Sequence, residues 1–280
     1  MALRSVFKTN IVKSGVRCFS KEASFVSVTV NDKNGVATVE MQRPPVNSLN
    51  YELLSQLSST LTDLEKNKSR GLILTSKNDG VFSAGLDILE MYKPDQDRMK
   101  AFWTALQDTW IKLYGSSYPT VALINGHAPA GGCLLSLCCE YRVMFKNRTI
   151  GLNETQLGIV APKWFIASMT NVIGNRKTEL ALTGGVMYTT DEALNMGMID
   201  EIIETKAEGM ARAEAFITRF AKISPVARGL TKKYIRGNTI EDMVKNRKED
   251  LDNFVMFSNQ PAVQEGLGLY IQSLKKKSKA

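Results

Sequence analysis

Two glycine-containing segments hold the first residues whose types and spacing could do chemistry. Segment 82–87 reads FSAGLD, and segment 125–132 reads NGHAPAGG. Each follows an apolar run and precedes a predicted helix, where the first N–H groups have no partner within the helix. When two such loops face one another, one N–H from each can point at a single oxygen and form an oxyanion hole. The alternative is that both are tight turns in a packed core, which glycine permits.

Glu154 is the acidic residue that could act beside such a hole. It lies in segment 152–158, which reads LNETQLG. A carboxylate beside a carbonyl whose oxygen is held by two N–H donors can remove a neighbouring proton and create an enolate. The alternative is that Glu154 only begins a helix, where its charge suits the positive end of the helix dipole.

The hydrophobic pattern predicts the elements that must position these residues. Alternating and continuous apolar runs predict strands, and apolar residues at three- and four-residue spacing predict helices. The predicted strands are 25–30, 36–41, 71–75, 120–124, 141–145 and 198–203, and the predicted helices are one from about 50, 97–114, 131–139 and most of the chain after 162. The order of strand and helix predicts an α/β fold with mostly parallel strands. A change in composition near Ser224 and Pro225 predicts a boundary before a helical C-terminal segment.

Composition and charge limit the class of protein. The chain has 280 residues, of which 44% are hydrophobic and 23% charged, as in a globular domain, and it has no apolar run long enough for a transmembrane helix. Residues 1–20 contain four basic residues, three serines and no acid, which predicts a mitochondrial transit peptide; a disordered basic arm is the alternative. Setting those four basic residues aside lowers the net charge from +8 to +4, which is too little for a nucleic-acid footprint.

Several other kinds of site are disfavoured by the sequence. Neither glycine segment forms a P-loop or a dinucleotide fingerprint, and the nucleophilic-serine elbow is absent. No Cys or His cluster has the spacing of metal ligands, so we expect no bound metal. Cys133, Cys138 and Cys139 lie on one apolar stretch and are expected to be buried thiols. His127, the only histidine in the sequence, is expected to shape its loop rather than to react.

The motifs and their order resemble those of the crotonase (enoyl-CoA hydratase/isomerase) superfamily. The matching motifs are SAGLD at 83–87, ING at 124–126 with PAGG at 129–132, and NExxLG at 153–158. The resemblance covers roughly residues 24–278. Within the superfamily, NETQLGIVAP at 153–162 and PVNSL at 45–49 resemble the mitochondrial Δ3,Δ2-enoyl-CoA isomerases in particular.

The resemblance implies a fold and a set of site residues. The fold is an α/β spiral of stacked β-β-α units, with a transit peptide (1–20), a catalytic core (21–224) and a helical C-terminal segment for oligomerisation (225–280). Glu154 is implied as the catalytic residue, with the main-chain N–H groups of Leu86 and Gly131 as oxyanion donors. The implied contacts to substrate and coenzyme A are Ala84, Asp87, Arg98, Lys100 and Asn153. For Arg98 and Lys100, the alternative is a solvated helix face.

One departure from the family pattern separates two activities. The hydratases of the superfamily have a second glutamate three residues after the second oxyanion glycine, where this chain has Leu134. Two carboxyl groups are well suited to adding water to a double bond. Shifting a double bond needs only one carboxyl group, which moves a proton from carbon 2 to carbon 4. The resemblance therefore implies isomerisation of cis- or trans-3-enoyl-CoA to trans-2-enoyl-CoA in fatty acid β-oxidation. An apolar pocket, to which Trp164 and Phe165 could contribute, should raise the pKa of Glu154.

The resemblance also implies partners, and it leaves alternatives open. The expected partner is an acyl-CoA thioester, with coenzyme A as part of the substrate and no separate cofactor. We expect a homotrimer in the mitochondrial matrix, with no nucleic acid bound and no membrane span. The alternatives are an enoyl-CoA hydratase, an acyl-CoA hydrolase and a non-catalytic RNA-binding relative on the same fold.

Overall fold

The computed structural model describes residues 24–277, so the predicted transit peptide lies outside the described residues. The strands are β1 (Val26–Val30), β2 (Val36–Met41), β3 (Gly71–Ser76), β4 (Gly80–Val81), β5 (Thr120–Ile124), β6 (Gly126–Pro129), β7 (Tyr141–Phe145), β8 (Thr149–Gly151), β9 (Tyr188–Thr189) and β10 (Glu201–Ile203). The helices are α1 (Tyr51–Lys66), α2 (Gln96–Tyr114), α3 (Gly131–Cys138), α4 (Lys163–Ile173), α5 (Asn175–Gly184), α6 (Thr190–Met196), α7 (Lys206–Thr218), α8 (Pro225–Lys245), α9 (Arg247–Ser258) and α10 (Pro261–Lys277). Two short 3-10 helices lie at Ile88–Glu90 and Glu154–Leu157.

The main sheet has six strands in the order β1-β2-β3-β5-β7-β10. Strands β1 and β2 form the predicted antiparallel hairpin, and every other neighbouring pair is parallel. All residues of β3 and β5 are buried, as the continuous apolar runs predicted, because parallel strands in such folds are covered on both faces.

A second sheet, in the order β4-β6-β8-β9, lies beyond the ends of the main strands. Strands β4, β6 and β8 each follow one strand of the main sheet and precede a longer helix, so that the chain repeats β3-β4-α2, β5-β6-α3 and β7-β8-α4. The pairs β4–β6 and β6–β8 are parallel. This repetition confirms the predicted spiral of β-β-α units.

Helices α1 and α2 each bury one apolar face. In α1, five leucines at helical spacing are buried and the Asn50 side chain accepts a hydrogen bond from the N–H of Leu53, which caps the first turn. Helix α2 packs against α1 and brings Trp103 and Trp110 into the core. The core therefore lies between the main sheet and these helices.

The second sheet is where the structure departs from the sequence-based elements. The prediction placed the second glycine segment entirely in a loop, but its residues Gly126–Pro129 are strand β6. It also placed one further strand after residue 162, at 198–203, whereas the described chain has the short β9 and, at 201–203, β10. Strands of two to four residues are held by partners distant in sequence, and their local pattern carries little signal.

The C-terminal helices are fastened to the sheet by a cluster of charges. Glu140, which precedes β7, accepts hydrogen bonds from Arg228 and, at 3.0 Å, from Lys232, both on α8. It also accepts from the main-chain N–H of Thr120 at 3.1 Å, at the start of β5. Lys232 is buried, so its ammonium group relies on Glu140 and on oxygens of Ser116 and Tyr118 as acceptors. Among the described helices, none is long and apolar enough to cross a membrane.

Candidate active site

At the start of α3, the main-chain N–H of Gly131 forms no hydrogen bond to another described residue. Gly131 is the first residue of this helix, and the first N–H groups of a helix have no partner within it. The preceding residue, Ala130, donates its N–H to the carbonyl oxygen of Gly151 at 2.7 Å, which ties the helix start to the end of β8. The position of Gly131 at a helix start agrees with the sequence pattern, and its role as an oxyanion donor stays a prediction.

Leu86 presents its N–H for a different reason. It forms an isolated parallel bridge with Leu49, in which the N–H of Leu49 binds the carbonyl of Gly85 and the N–H of Asp87 binds the carbonyl of Leu49. Successive N–H groups in an extended chain point to opposite sides. The N–H of Leu86 therefore points away from Leu49. No hydrogen bond of this N–H to another described residue is present. Only a 3-10 helix of three residues follows, so the prediction that a helix start frees this donor was wrong.

The two glycine segments touch, and their glycines make this possible. Gly85 has φ of 89°, and a Cβ there would lie 2.9 Å from the Cβ of Ala130 and 3.2 Å from the nitrogen of Gly131. A Cβ on Gly132 would lie 2.6 Å from the carbonyl oxygen of Ser83. Side chains at these positions would therefore force the segments apart.

Glu154 begins the 3-10 helix that follows β8, three residues after the Gly151 carbonyl that binds Ala130. This turn is held against α5 because Thr155 Oγ1 donates to the carbonyl of Leu182 at 2.9 Å and Gln156 Nε2 to that of Gly185 at 2.8 Å. The pairing of β6 with β8 thus places Glu154 next to the start of α3.

The carboxyl group of Glu154 is buried without a partner. The residue is 6% exposed, and within the described chain neither side-chain oxygen has a hydrogen-bond partner. Burial raises the pKa of Glu154 from 4.5 to about 7, while its own main-chain N–H lowers the pKa by a smaller amount; no ionised side chain of the described residues contributes to the shift. A group with this pKa can accept and return a proton near neutral pH.

A cavity of about 430 Å³ joins the glycine segments to Glu154. Ala84, Leu86, Ala130 and Glu154 line it, and so does Asn153. The rest of its wall is mostly apolar and comes from the two 3-10 helices and the residues that follow them, from α2 and α4, and from the three C-terminal helices. It includes Trp103, Trp164, Phe165, Met243, Phe254, Phe257, Val263 and Leu267. Trp164 and Phe165 thus line the same cavity as Glu154, which agrees with the prediction that they contribute to an apolar pocket.

Two of the predicted coenzyme A contacts, Asp87 and Arg98, are bonded to other protein groups. Asp87 accepts from the N–H of Leu89 at 3.1 Å and pairs with Arg43 at 2.8 Å. Arg98 bridges two carboxylates, Glu52 at 2.8 Å and Glu90 at 2.6 Å. These two and Lys100 are absent from the cavity wall, so the structure does not bring them together with Ala84 and Asn153.

Lys100 has a looser environment than the other two. It lies 3.8 Å from Asp97 on the exposed face of α2, and its side chain is half exposed. The roles of Asp87, Arg98 and Lys100 in binding stay predictions.

His127 and the cysteines occupy structural positions. The Nδ1 atom of His127 accepts from the N–H of Thr149 at 3.1 Å and is 2.9 Å from its Oγ1, which links β6 to β8. Cys133, Cys138 and Cys139 are buried, as predicted, and burial raises their pKa values. No group of three or more His, Cys, Asp or Glu within 24–277 is arranged to hold a metal ion.

Sequence reasoning missed the residues that the C-terminal segment contributes to the cavity. It assigned 225–280 to oligomerisation, which stays a prediction, but Met243, Asp250 and Phe254 are part of the cavity wall. A helical pattern shows which face is apolar and does not show what that face covers. The sequence offered one signal of this packing: Asp250 lies on the same helix face as Phe254, and a carboxylate among apolar residues needs a hydrogen-bond partner.

Known proteins share both the sequence and the fold of this chain. A family model described as enoyl-CoA hydratase/isomerase matches residues 31–279. A mouse protein, mitochondrial enoyl-CoA delta isomerase 1, is 42% identical over 266 residues, which cover 94% of this chain and 91% of that protein.

Two solved structures extend the comparison. Human mitochondrial delta3-delta2-enoyl-CoA isomerase has a TM-score of 0.88 and 40% identity, covering 91% of this chain and 99% of that chain. An enoyl-CoA hydratase from Bacillus halodurans has a TM-score of 0.79 and 25% identity, covering 88% and 100%. This chain therefore belongs to the enoyl-CoA hydratase/isomerase family, the crotonase superfamily whose motifs its sequence carries.

Proposed function

We propose that this protein is a Δ3,Δ2-enoyl-CoA isomerase that converts cis- or trans-3-enoyl-CoA to trans-2-enoyl-CoA in fatty acid β-oxidation. Its similarity to proteins named as enoyl-CoA delta isomerases, at 40–42% identity over most of the chain, supports this activity. The observation that carries the proposal is the environment of Glu154. It is a buried carboxyl group without a hydrogen-bond partner among residues 24–277, its pKa is about 7, and it lies in the wall that also contains Leu86 and Ala130.

The mechanism that we propose uses one carboxyl group for two proton transfers. The thioester oxygen accepts hydrogen bonds from the N–H groups of Leu86 and Gly131. Ionised Glu154 removes a proton from carbon 2, and the resulting dienolate is stabilised at the thioester oxygen. Protonated Glu154 then gives the proton to carbon 4, so the substrate and product have the same atoms. Coenzyme A takes part as a portion of the substrate, and the step uses no separate cofactor.

The surroundings of Leu134 favour isomerisation over hydration. Leu134 occupies the position where the hydratases of the superfamily have their second glutamate, and its side chain is completely buried. Of the acids that line the cavity, Glu154 is the one that is buried; Asp242 and Glu249 are exposed and Asp250 is half-buried. Position 134 therefore supplies no second carboxyl group that could activate a water molecule beside Glu154.

We further propose the contacts that bind the coenzyme A portion and the assembly of the protein. Ala84 and Asn153, which line the cavity, are proposed to contact the substrate. Asp87, Arg98 and Lys100 are proposed to lie near the nucleotide, where Arg98 would exchange one of its carboxylate partners for phosphate. Exposed apolar side chains on α8, such as Val226 at 71% and Tyr234 at 80% exposure, support a homotrimer. Light scattering tests this assembly, and a monomer would contradict it.

The proposed location is the mitochondrial matrix, and no nucleic acid is proposed as a partner. The basic N-terminal residues 1–20 and the mitochondrial relatives from mouse and human support this location. The mild charge of the remaining chain argues against RNA binding. Fluorescence imaging of the full chain with a C-terminal tag tests the location, and a cytosolic signal would contradict it.

Product analysis in isotopically labelled water tests the activity against its alternatives. The purified protein is incubated with a 3-enoyl-CoA and the products are separated and weighed by mass spectrometry. Isomerisation leaves the mass of the thioester unchanged apart from hydrogen exchange. A product heavier by one water would indicate a hydratase, and free coenzyme A would indicate a hydrolase; either as the main product would overturn the proposal.

A further inference from the structure

Asp250, on α9, joins three parts of the cavity wall through its carboxylate. Its Oδ2 accepts from the Nε1 of Trp103 at 2.7 Å and from the Nε2 of Gln107 at 2.8 Å, both on α2. Its Oδ1 accepts from the Nε1 of Trp164, on α4, at 3.0 Å. Asp250 itself lines the cavity together with the two tryptophans.

Each of the three N–H donors that face Asp250 needs an oxygen that accepts its hydrogen bond. The indole N–H can only donate, so each tryptophan requires an oxygen. The amide of Gln107 is held in one orientation because its Oε1 accepts from the Nε of Arg247 at 2.9 Å, which leaves Nε2 to face Asp250. A carboxylate satisfies all three donors, whereas an asparagine amide would turn an NH2 group toward at least one of them.

The side chains that Asp250 holds form an aromatic end of the cavity. Trp103 stacks on Phe254 with ring centroids 3.7 Å apart and meets Trp164 edge-on at 5.9 Å. Both tryptophans are almost completely buried, and their hydrogen bonds to the half-buried Asp250 fix their orientation.

This end of the cavity is separate from the reacting atoms. Asp250 and its three partners lie on α9, α2 and α4, whereas Glu154 and the two glycine segments follow strands of the two sheets. A thioester bound at the N–H groups of Leu86 and Gly131 would therefore reach Asp250 only with the far part of its acyl chain. If carbon atoms of the acyl chain touched the carboxylate of Asp250, they would exclude polar groups from around its charge, which is unfavourable.

We infer that Asp250 limits the length of the acyl chain that the cavity accepts. It does so as a specificity-determining residue, by fixing Trp103 and Trp164 at the end of the cavity and by placing a charge where a longer chain would continue. The inference rests on the proposed isomerase function, since it assumes that the cavity holds the acyl chain of a thioester bound beside Glu154.

Asp250→Asn tests the inference through a ratio of activities. The measured quantity is kcat/KM for 3-dodecenoyl-CoA divided by that for 3-hexenoyl-CoA. We expect this ratio to rise about fivefold in the variant, the size of one hydrogen bond in net terms. Asp252→Asn is the matched control, because Asp252 lies on the same helix, is exposed and pairs with Lys248. An unchanged ratio, a lower ratio or an equal loss with both substrates would overturn the inference.

Binding of saturated thioesters separates this inference from the proposed activity. Calorimetry gives the Kd of hexanoyl-CoA and dodecanoyl-CoA for the wild type and for Asp250→Asn. If the wild type binds these thioesters but does not isomerise their 3-enoyl counterparts, the proposed function fails. If the ratio of the two Kd values is the same in both proteins, the role of Asp250 fails. Should Asp250→Asn not fold, Trp164→Phe, which removes one donor and keeps an aromatic ring, is expected to shift the same ratio.

Discussion

The carboxyl group of Glu154 has properties that a surface glutamate lacks. It is buried, its oxygens have no hydrogen-bond partner in the described part of the chain, and its pKa is raised to about 7. Burial makes the group a stronger base than a solvated carboxylate, because its charged form is less stable there. The same burial is unfavourable for folding when the group is ionised and no substrate is bound.

Replacing Glu154 with Gln should therefore stabilise the substrate-free protein at high pH. The folded protein keeps this proton up to about pH 7, whereas the unfolded chain loses it near pH 4.5. Because the native state binds more protons between these values, the free energy of unfolding falls as pH rises through that window, by about 3 kcal/mol in total. A side chain that does not titrate escapes this loss.

Thermal unfolding at two pH values measures this effect. The midpoint of Glu154→Gln should exceed that of the wild type clearly at about pH 8, and the difference should shrink at about pH 5. Glu249→Gln, at an exposed acid of the same cavity wall, is the control. A difference between Glu154→Gln and wild type that stays constant with pH would contradict the raised pKa.

At the scale of elements, the second sheet brings the two glycine segments together. Strand β4 pairs with β6, and β6 pairs with β8, so that the residues after each strand meet at one place. The sequence predicted the main strands because their apolar runs are continuous. It did not predict β4, β6 or β8, because a strand such as Gly126–Pro129 contains glycine and proline and forms only through its neighbours.

The contact between the segments predicts a large effect of a single methyl group. Gly85→Ala would place a Cβ 2.9 Å from that of Ala130 and 3.2 Å from the nitrogen of Gly131, which displaces a proposed oxyanion donor. We expect kcat/KM for a 3-enoyl-CoA to fall by about 100-fold, as for the loss of one donor.

Gly174→Ala is the control for backbone strain at this position. Gly174 has φ of 81°, close to the 89° of Gly85, but a Cβ there would meet nothing within 4 Å. The control should lose thermal stability through the unfavourable φ and keep its activity. Equal losses of activity in both variants would show that strain, and not the displaced N–H, is responsible.

At the scale of the whole molecule, the C-terminal helices complete the cavity. Residues Met243, Phe254 and Val263 from α8, α9 and α10 face the elements that carry Glu154. The sequence predicted helices in this region but not where they pack. Their attachment depends on ion pairs such as Glu140 with Lys232, whose residues are distant in sequence. Either charge could pair with many others in the chain, so the sequence does not identify the partner.

The attachment of α8 to the sheet predicts a loss of stability when its acceptor is removed. Glu140→Gln would leave the buried Lys232 and the nearly buried Arg228 without a carboxylate. We expect a destabilisation of about 3–5 kcal/mol, measured by chemical unfolding, and faster proteolysis of the C-terminal helices. Glu241→Gln, on an exposed position of the same helix, is the control. An equal effect of the two substitutions would contradict this role of Glu140.

The most direct test of the account is to separate turnover from binding in Glu154→Gln. Gln keeps the size of the side chain and cannot take a proton from carbon 2. We predict that kcat for a 3-enoyl-CoA falls by at least about 100-fold. The Kd of a saturated acyl-CoA, measured by calorimetry, should stay within roughly threefold of the wild-type value. A variant that isomerises its substrate at a rate close to that of the wild type would contradict the proposed role of Glu154.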